Sequence, residues 1–295
     1  MRLVTYRAGD GSARLGAIAG DRVVDLAEAS GGQLPSEMVA FIERGEAGLD
    51  LARRTLAGAT SGQPLASTTL LAPIPHPRRN AFCLGLNYHD HAAEAASQGL
   101  KLPEYPMYFT KSGNTIVGPG AAIEIDPTLT TQVDWEIELT AVIGTGGRDI
   151  SKADALSHVF GYTVANDVSA RDLQFRHGGQ FFKGKSLDTF CPLGPCIVTA
   201  DEIQHPESLE IWLRVNGVEK QHSNTKHLIF DLETIVVSLS EGLTLEPGDL
   251  ILTGTPAGVG FARKPPEFLQ DGDVVECEIE QIGILSNPVK TRSRA

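Results

Sequence analysis

Alternation of apolar and polar residues fixes most of what this chain can become. Val133, Trp135, Ile137 and Leu139 are apolar, and Asp134, Glu136 and Glu138 between them are acidic, which is the period-two signature of an extended strand with two unlike faces. The runs 160–165, 209–216, 249–253 and 274–279 are again rich in β-branched, aromatic or other apolar residues, the types that suit a pleated, half-buried surface. One segment keeps the helical period instead. Leu228, Leu232, Ile235, Val236 and Leu239 share a face after Asn224, and Gly242 suits the position just past the helix end. The expected fold class is α+β, mostly β.

The N-terminal part reads differently. Leu3-Val4-Thr5-Tyr6 and Leu15-Gly16-Ala17-Ile18 flank the turn formers Gly9-Asp10-Gly11, which predicts a hairpin, and Val23-Val24-Asp25-Leu26 gives another strand. Val39, Ile42, Leu49, Leu51 and Leu56 then fall at helical spacing, broken by Gly45 and Gly48. Pro73-Ile74-Pro75-His76-Pro77 interrupts regular structure, because each proline fixes φ and removes a donor. The expected organisation is a small α/β domain over 1–72 and a main domain over 73–295.

Charge and cysteine usage narrow the partners. Lys and Arg number 25 against 37 Asp and Glu, a formal net charge of −12, which with no basic run argues against a nucleic-acid footprint. No apolar stretch is long enough to span a membrane. Cys83, Cys191, Cys196 and Cys277 form no C-x-x-C pair, so reduced thiols and a cytoplasmic protein are expected.

Glu136 and Glu138, two apart on one strand, have Cβ atoms about 6–7 Å apart. If that face is buried their mutual repulsion demands a cation, and hard carboxylate oxygens favour Mg²⁺, Mn²⁺ or Ca²⁺; a solvated outer face is the plain alternative. Asp167 ends an apolar strand, where it could serve as a ligand or merely cap the helix that Ser169 and Asp172 announce. His91 and Glu94 are helical neighbours, so the carboxylate could orient the imidazole as a general base or simply form a surface pair. Lys183 and Lys185 lie in a glycine-containing loop, and the segment 253–260 could offer backbone N–H groups to an anion.

Taken in order, the segments 85–94, 106–120, 134–144, 161–174, 183–195, 250–260 and 271–283 resemble the fumarylacetoacetate hydrolase superfamily over most of the main domain. The resemblance implies a mixed β-sandwich roll holding one Mg²⁺ or Mn²⁺, preceded by a variable N-terminal unit. By motif position it implies Glu136, Glu138 and Asp167 as metal ligands and His91 with Glu94, in N-Y-x-x-H-x-x-E, as a water-activating dyad. Lys185 of K-S-L-D-T becomes the catalytic cation beside the metal, and Arg171, Gln174 and Thr255 become substrate contacts. The expected activity is metal-dependent hydrolysis of the C–C bond of a 2,4-dioxo acid, an acylpyruvate or fumarylpyruvate-like molecule, to pyruvate and a carboxylic acid. A 2-oxo acid decarboxylase of the oxaloacetate type, or an enol–keto isomerase, is the alternative on the same site. A homodimer is expected, with the segment 89–105 ordering over substrate.

Overall fold

The computed structural model describes residues 1–90 and 104–292. Strands dominate it, in a twelve-stranded sheet, a five-stranded sheet and a two-stranded ribbon. The centre of the large sheet is the strand Val159–Asn166, flanked antiparallel by Ile137–Ile143 and Cys191–Thr199. Ile137–Ile143 also pairs with Leu250–Leu252, which runs parallel to Ala81–Gly85. Every residue of Ile137–Ile143 and Val159–Asn166 is buried, so both faces of these strands are covered and their polar residues lie inside the protein.

The N-terminal hairpin forms as the sequence predicts, Arg2–Arg7 against Ala13–Ala19. Arg2–Arg7 then adds antiparallel to Cys191–Thr199, with Leu3 opposite Ile197. The sheet therefore continues across the proline-rich stretch. Helices Met38–Ile42 and Gly45–Gly58 follow, separated near Gly45, whose φ of +55° suits glycine. Gly48 lies within the second helix and interrupts nothing.

In the smaller sheet Glu210–Val215 pairs with Val218–Asn224 and Val274–Ile279, and its residues alternate between buried and half-buried. The helix expected after Asn224 begins later, at Leu232–Ser240, where the Asp231 carboxylate accepts the Thr234 N–H at 2.8 Å. A 3₁₀ turn, Thr225–His227, occupies the earlier stretch. Gly242, with φ +70°, stands just beyond the helix end, as expected. No helix among the described residues is long and apolar enough to cross a membrane.

The acidic-alternating run is not a single strand. Val133–Asp134 pairs with Ser169–Ala170, whereas Ile137–Ile143 pairs with Val159–Asn166. Trp135 and Glu136 form the joint, and side chains from elsewhere stabilise it. Asn166 Oδ1 accepts the Glu136 N–H at 3.0 Å and Gln221 Oε1 accepts the Ile137 N–H at 3.1 Å. Nor does Ser169 cap the next helix. Its hydroxyl donates to the Asp167 carbonyl at 2.9 Å, and Arg171–Arg176 starts from Ala170 without a side-chain cap.

Candidate active site

The joint in the Asp-Trp-Glu run aims carboxylates at one point. Glu138 is the second residue of its strand, opposite Ala165; Asp167 follows the end of the neighbouring strand, and its N–H bonds the Glu136 carbonyl at 2.8 Å. One carboxylate oxygen each from Glu136, Glu138 and Asp167 lies within 4.8 Å of the others, and all three residues are buried. The solvated-face alternative is thereby excluded.

Three buried cations compensate this charge. Lys185 Nζ bonds Glu136 Oε2 at 2.7 Å and Asp167 Oδ2 at 2.8 Å. Lys111 Nζ bonds Asp167 Oδ1 at 2.6 Å and the Val168 carbonyl at 3.0 Å, and also donates to the Lys185 carbonyl. Arg171 bridges Asp134 and Glu136, its Nη2 lying 2.8 Å and 2.6 Å from their oxygens. Asp134 in turn accepts the N–H groups of Gly260 at 2.7 Å and Phe261 at 3.0 Å, which ties the glycine-rich segment to the site. Burial opposes the charge on Lys185, but Asp167 and Glu136 outweigh it and hold the ammonium above its ordinary range.

Glu138 is the exception. It forms no ion pair among the described residues; Oε2 accepts only the Gly254 N–H, at 2.7 Å, and Oε1 is buried without a hydrogen-bond partner. Burial, and then the charges of Asp167 and Glu136, push this carboxyl well above its usual range. A buried acceptor with no donor is costly. A buried carboxyl with no cationic partner, beside two further carboxylates, fits a hard divalent ion that would favour its ionised form.

Glu136 and Lys185 line a cavity of about 320 Å³, together with Arg171, Gln174 and Thr255. These predicted residues therefore share one space, and Glu138 and Asp167 stand buried behind it. Arg171 Nη1 donates to Gln174 Oε1 at 3.1 Å, and Thr255 Oγ1 accepts from Gln221 Nε2 at 2.9 Å. The guanidinium predicted as a substrate contact is thus also bound into the carboxylate network. Lys183, by contrast, is exposed. His91 and Glu94, like most of the segment 89–105, lie outside the described residues.

The model of the fumarylacetoacetate (FAA) hydrolase C-terminal family matches residues 80–290. The chain belongs to the fumarylacetoacetate hydrolase family. This family member is 46% identical over 293 residues to the mitochondrial oxaloacetate tautomerase FAHD2A of Bos taurus, covering 98% of this chain and 91% of the relative. It is 50% identical over 225 residues to the oxaloacetate tautomerase YisK of Bacillus subtilis, covering 76% of this chain and 74% of that protein. Its fold also matches that of maleylpyruvate hydrolase from Sphingobium sp. SYK-6 in complex with manganese(II) and pyruvate. There the TM-score is 0.80 at 31% identity, over 99% of this chain and 100% of the other.

Sequence reasoning missed Lys111 and gave Asp134 no role of its own. Lys111 is entirely buried in a strand whose other residues are half-buried. The only available signal was a lysine ending an otherwise apolar and aromatic run, Met107-Tyr108-Phe109-Thr110.

Proposed function

We propose that this protein is a divalent-metal-dependent enol–keto tautomerase of 2-oxo acids of the oxaloacetate type. The observation that carries this reading is the buried triad of Glu136, Glu138 and Asp167, with its partnerless Glu138 oxygen, behind a cavity that Lys185 lines. Similarity to oxaloacetate tautomerases over nearly the whole chain supports the choice of reaction.

In this reading Glu136, Glu138 and Asp167 hold Mg²⁺ or Mn²⁺. When bound, such an ion polarises a 2-oxo group and acidifies the neighbouring C3 proton. Tautomerisation to the enol removes a proton from C3 and adds one to the 2-oxo oxygen; nothing is oxidised or cleaved. The Lys185 ammonium, fixed by two carboxylates, stabilises negative charge growing on that oxygen. Arg171, Gln174 and Thr255 orient the substrate. His91, with Glu94 three residues on, carries the proton, since histidine titrates near neutral pH.

Hydrolytic cleavage of a 2,4-dioxo acid is the second reading. It is favoured by the presence of both His91 and Glu94 in the N-Y-x-x-H-x-x-E pattern, a pair suited to activating water, and by the likeness to a maleylpyruvate hydrolase. The two separate in one assay. Metal-loaded protein should accelerate the loss of enol oxaloacetate absorbance above the buffer rate, and chelation should abolish the acceleration. Release of pyruvate from acylpyruvates with no effect on oxaloacetate tautomers would establish the hydrolase instead.

A further inference from the structure

The cavity is larger and more apolar than a compact dicarboxylate needs. Its volume of about 320 Å³ falls in the range of about 300–1,000 Å³ that holds drug-sized ligands. Beyond Glu136, Arg171 and Lys185 the described lining carries no further charge, and both cations are already engaged by carboxylates. Among the described lining residues a second substrate carboxylate would find only neutral donors.

Two aromatic pairs line the cavity instead. Phe109 and Phe181 meet edge to face with centroids 5.6 Å apart, and Phe175 and Phe261 lie 5.4 Å apart. Each pair is anchored to a site cation: Lys185 Nζ stands 5.1 Å from the Phe109 ring centre and the Arg171 guanidinium carbon 6.0 Å from that of Phe261. Met107 and Val259 add further apolar surface. Half-exposed Phe175, at 53%, presents a ring that solvent alone would not favour.

We infer that the substrate class extends to 2-oxo acids carrying an aryl or branched apolar group on C3 or beyond, seated between these two phenylalanine pairs. The inference rests on the tautomerase reading and names which 2-oxo acids it favours. The reaction is unchanged: C3 loses a proton and the 2-oxo oxygen gains one.

The test compares phenylpyruvate with oxaloacetate on the Mn²⁺-loaded protein, by tautomerisation rate and by calorimetric binding. The expected result is turnover of both, with phenylpyruvate having the higher kcat/KM. Phe175→Ala should lower the phenylpyruvate-to-oxaloacetate ratio of kcat/KM about ten-fold, the order of one aromatic contact. Phe175→Lys, at the same half-exposed position, should turn the preference toward the dicarboxylate. Tautomerisation of oxaloacetate with no binding of phenylpyruvate would overturn this inference and leave the tautomerase reading intact. Binding of phenylpyruvate that weakens in Phe175→Ala, with neither compound tautomerised, would keep the apolar subsite and overturn the tautomerase. Binding of neither would overturn both.

Discussion

At the scale of single residues the site is a charge ledger with one debit left open at Glu138. In the metal-free protein its carboxyl is held well above the ordinary value of 4.5, so the folded state favours the protonated form more than the unfolded chain does. Stability from this group is therefore fully present below the ordinary carboxylate range and is lost as pH rises toward the raised value. A cation that binds there favours the ionised carboxylate, so binding should be accompanied by proton release. Calorimetric titration with Mg²⁺ in two buffers of different ionisation enthalpy should reveal the release, and a buffer-independent heat would contradict it. Lys111→Met removes a buried partner from Asp167 and a donor from two carbonyls. Loss of one member of a buried pair costs about 3–5 kcal/mol, which urea denaturation of the metal-free protein would measure; a change under about 1 kcal/mol would show the pair to be dispensable. Glu136 and Glu138 were legible from their spacing of two, and Asp167 from the order of motifs around it. Lys111 was not, because the strand that carries it gives no hint that it turns toward Asp167, 56 residues away.

At the scale of elements, the strands and the long helix followed from local pattern, but the break at Trp135-Glu136 did not. Alternation runs unbroken through Asp134-Trp135-Glu136, and the interruption depends on Asn166 and Gln221, which lie 30 and 84 residues from the N–H groups they accept. Period-two reading cannot see such partners. It correctly put Glu136 and Glu138 near one another, and missed that both faces of the strand are buried. Gln221→Ala should leave the Ile137 N–H buried without an acceptor, at about 1–3 kcal/mol, and should disturb Thr255, to which Gln221 also donates. Denaturation and KM would move together; an unchanged KM would separate the joint from the substrate side of the cavity. Asp231→Ala, far simpler, should cost about 1 kcal/mol, chiefly through loss of the helix cap and with a small share from its exposed pair with Lys152, with KM unaltered.

At the scale of the whole molecule, the proline-rich joint was visible in sequence, but the continuity of the sheet across it was not, since pairing of Leu3 with Ile197 is a long-range event. Two sheet edges, Met107–Lys111 and Val218–Asn224, have no further strand beside them among the described residues, and Val218 is 57% exposed. Such edges call for cover, and a homodimer is proposed to supply it; light scattering should give twice the chain mass of 31.5 kDa, and a monomer mass at micromolar concentration would refute it. The central claim is that Glu136, Glu138 and Asp167 hold the ion on which tautomerisation depends, and one paired measurement reaches it most directly. Chelator-treated protein is titrated with Mn²⁺, bound ion is read by electron paramagnetic resonance, and the decay of enol oxaloacetate is followed in the same samples, for wild type and Glu138→Gln. One Mn²⁺ per chain is expected, with a rate that rises in step with its occupancy and an affinity at least about 100-fold weaker in Glu138→Gln, since even outer-shell changes at metal sites cost about 10–100-fold. Full tautomerase activity in wild-type protein with no bound Mn²⁺, or unaltered Mn²⁺ affinity in Glu138→Gln, would contradict it.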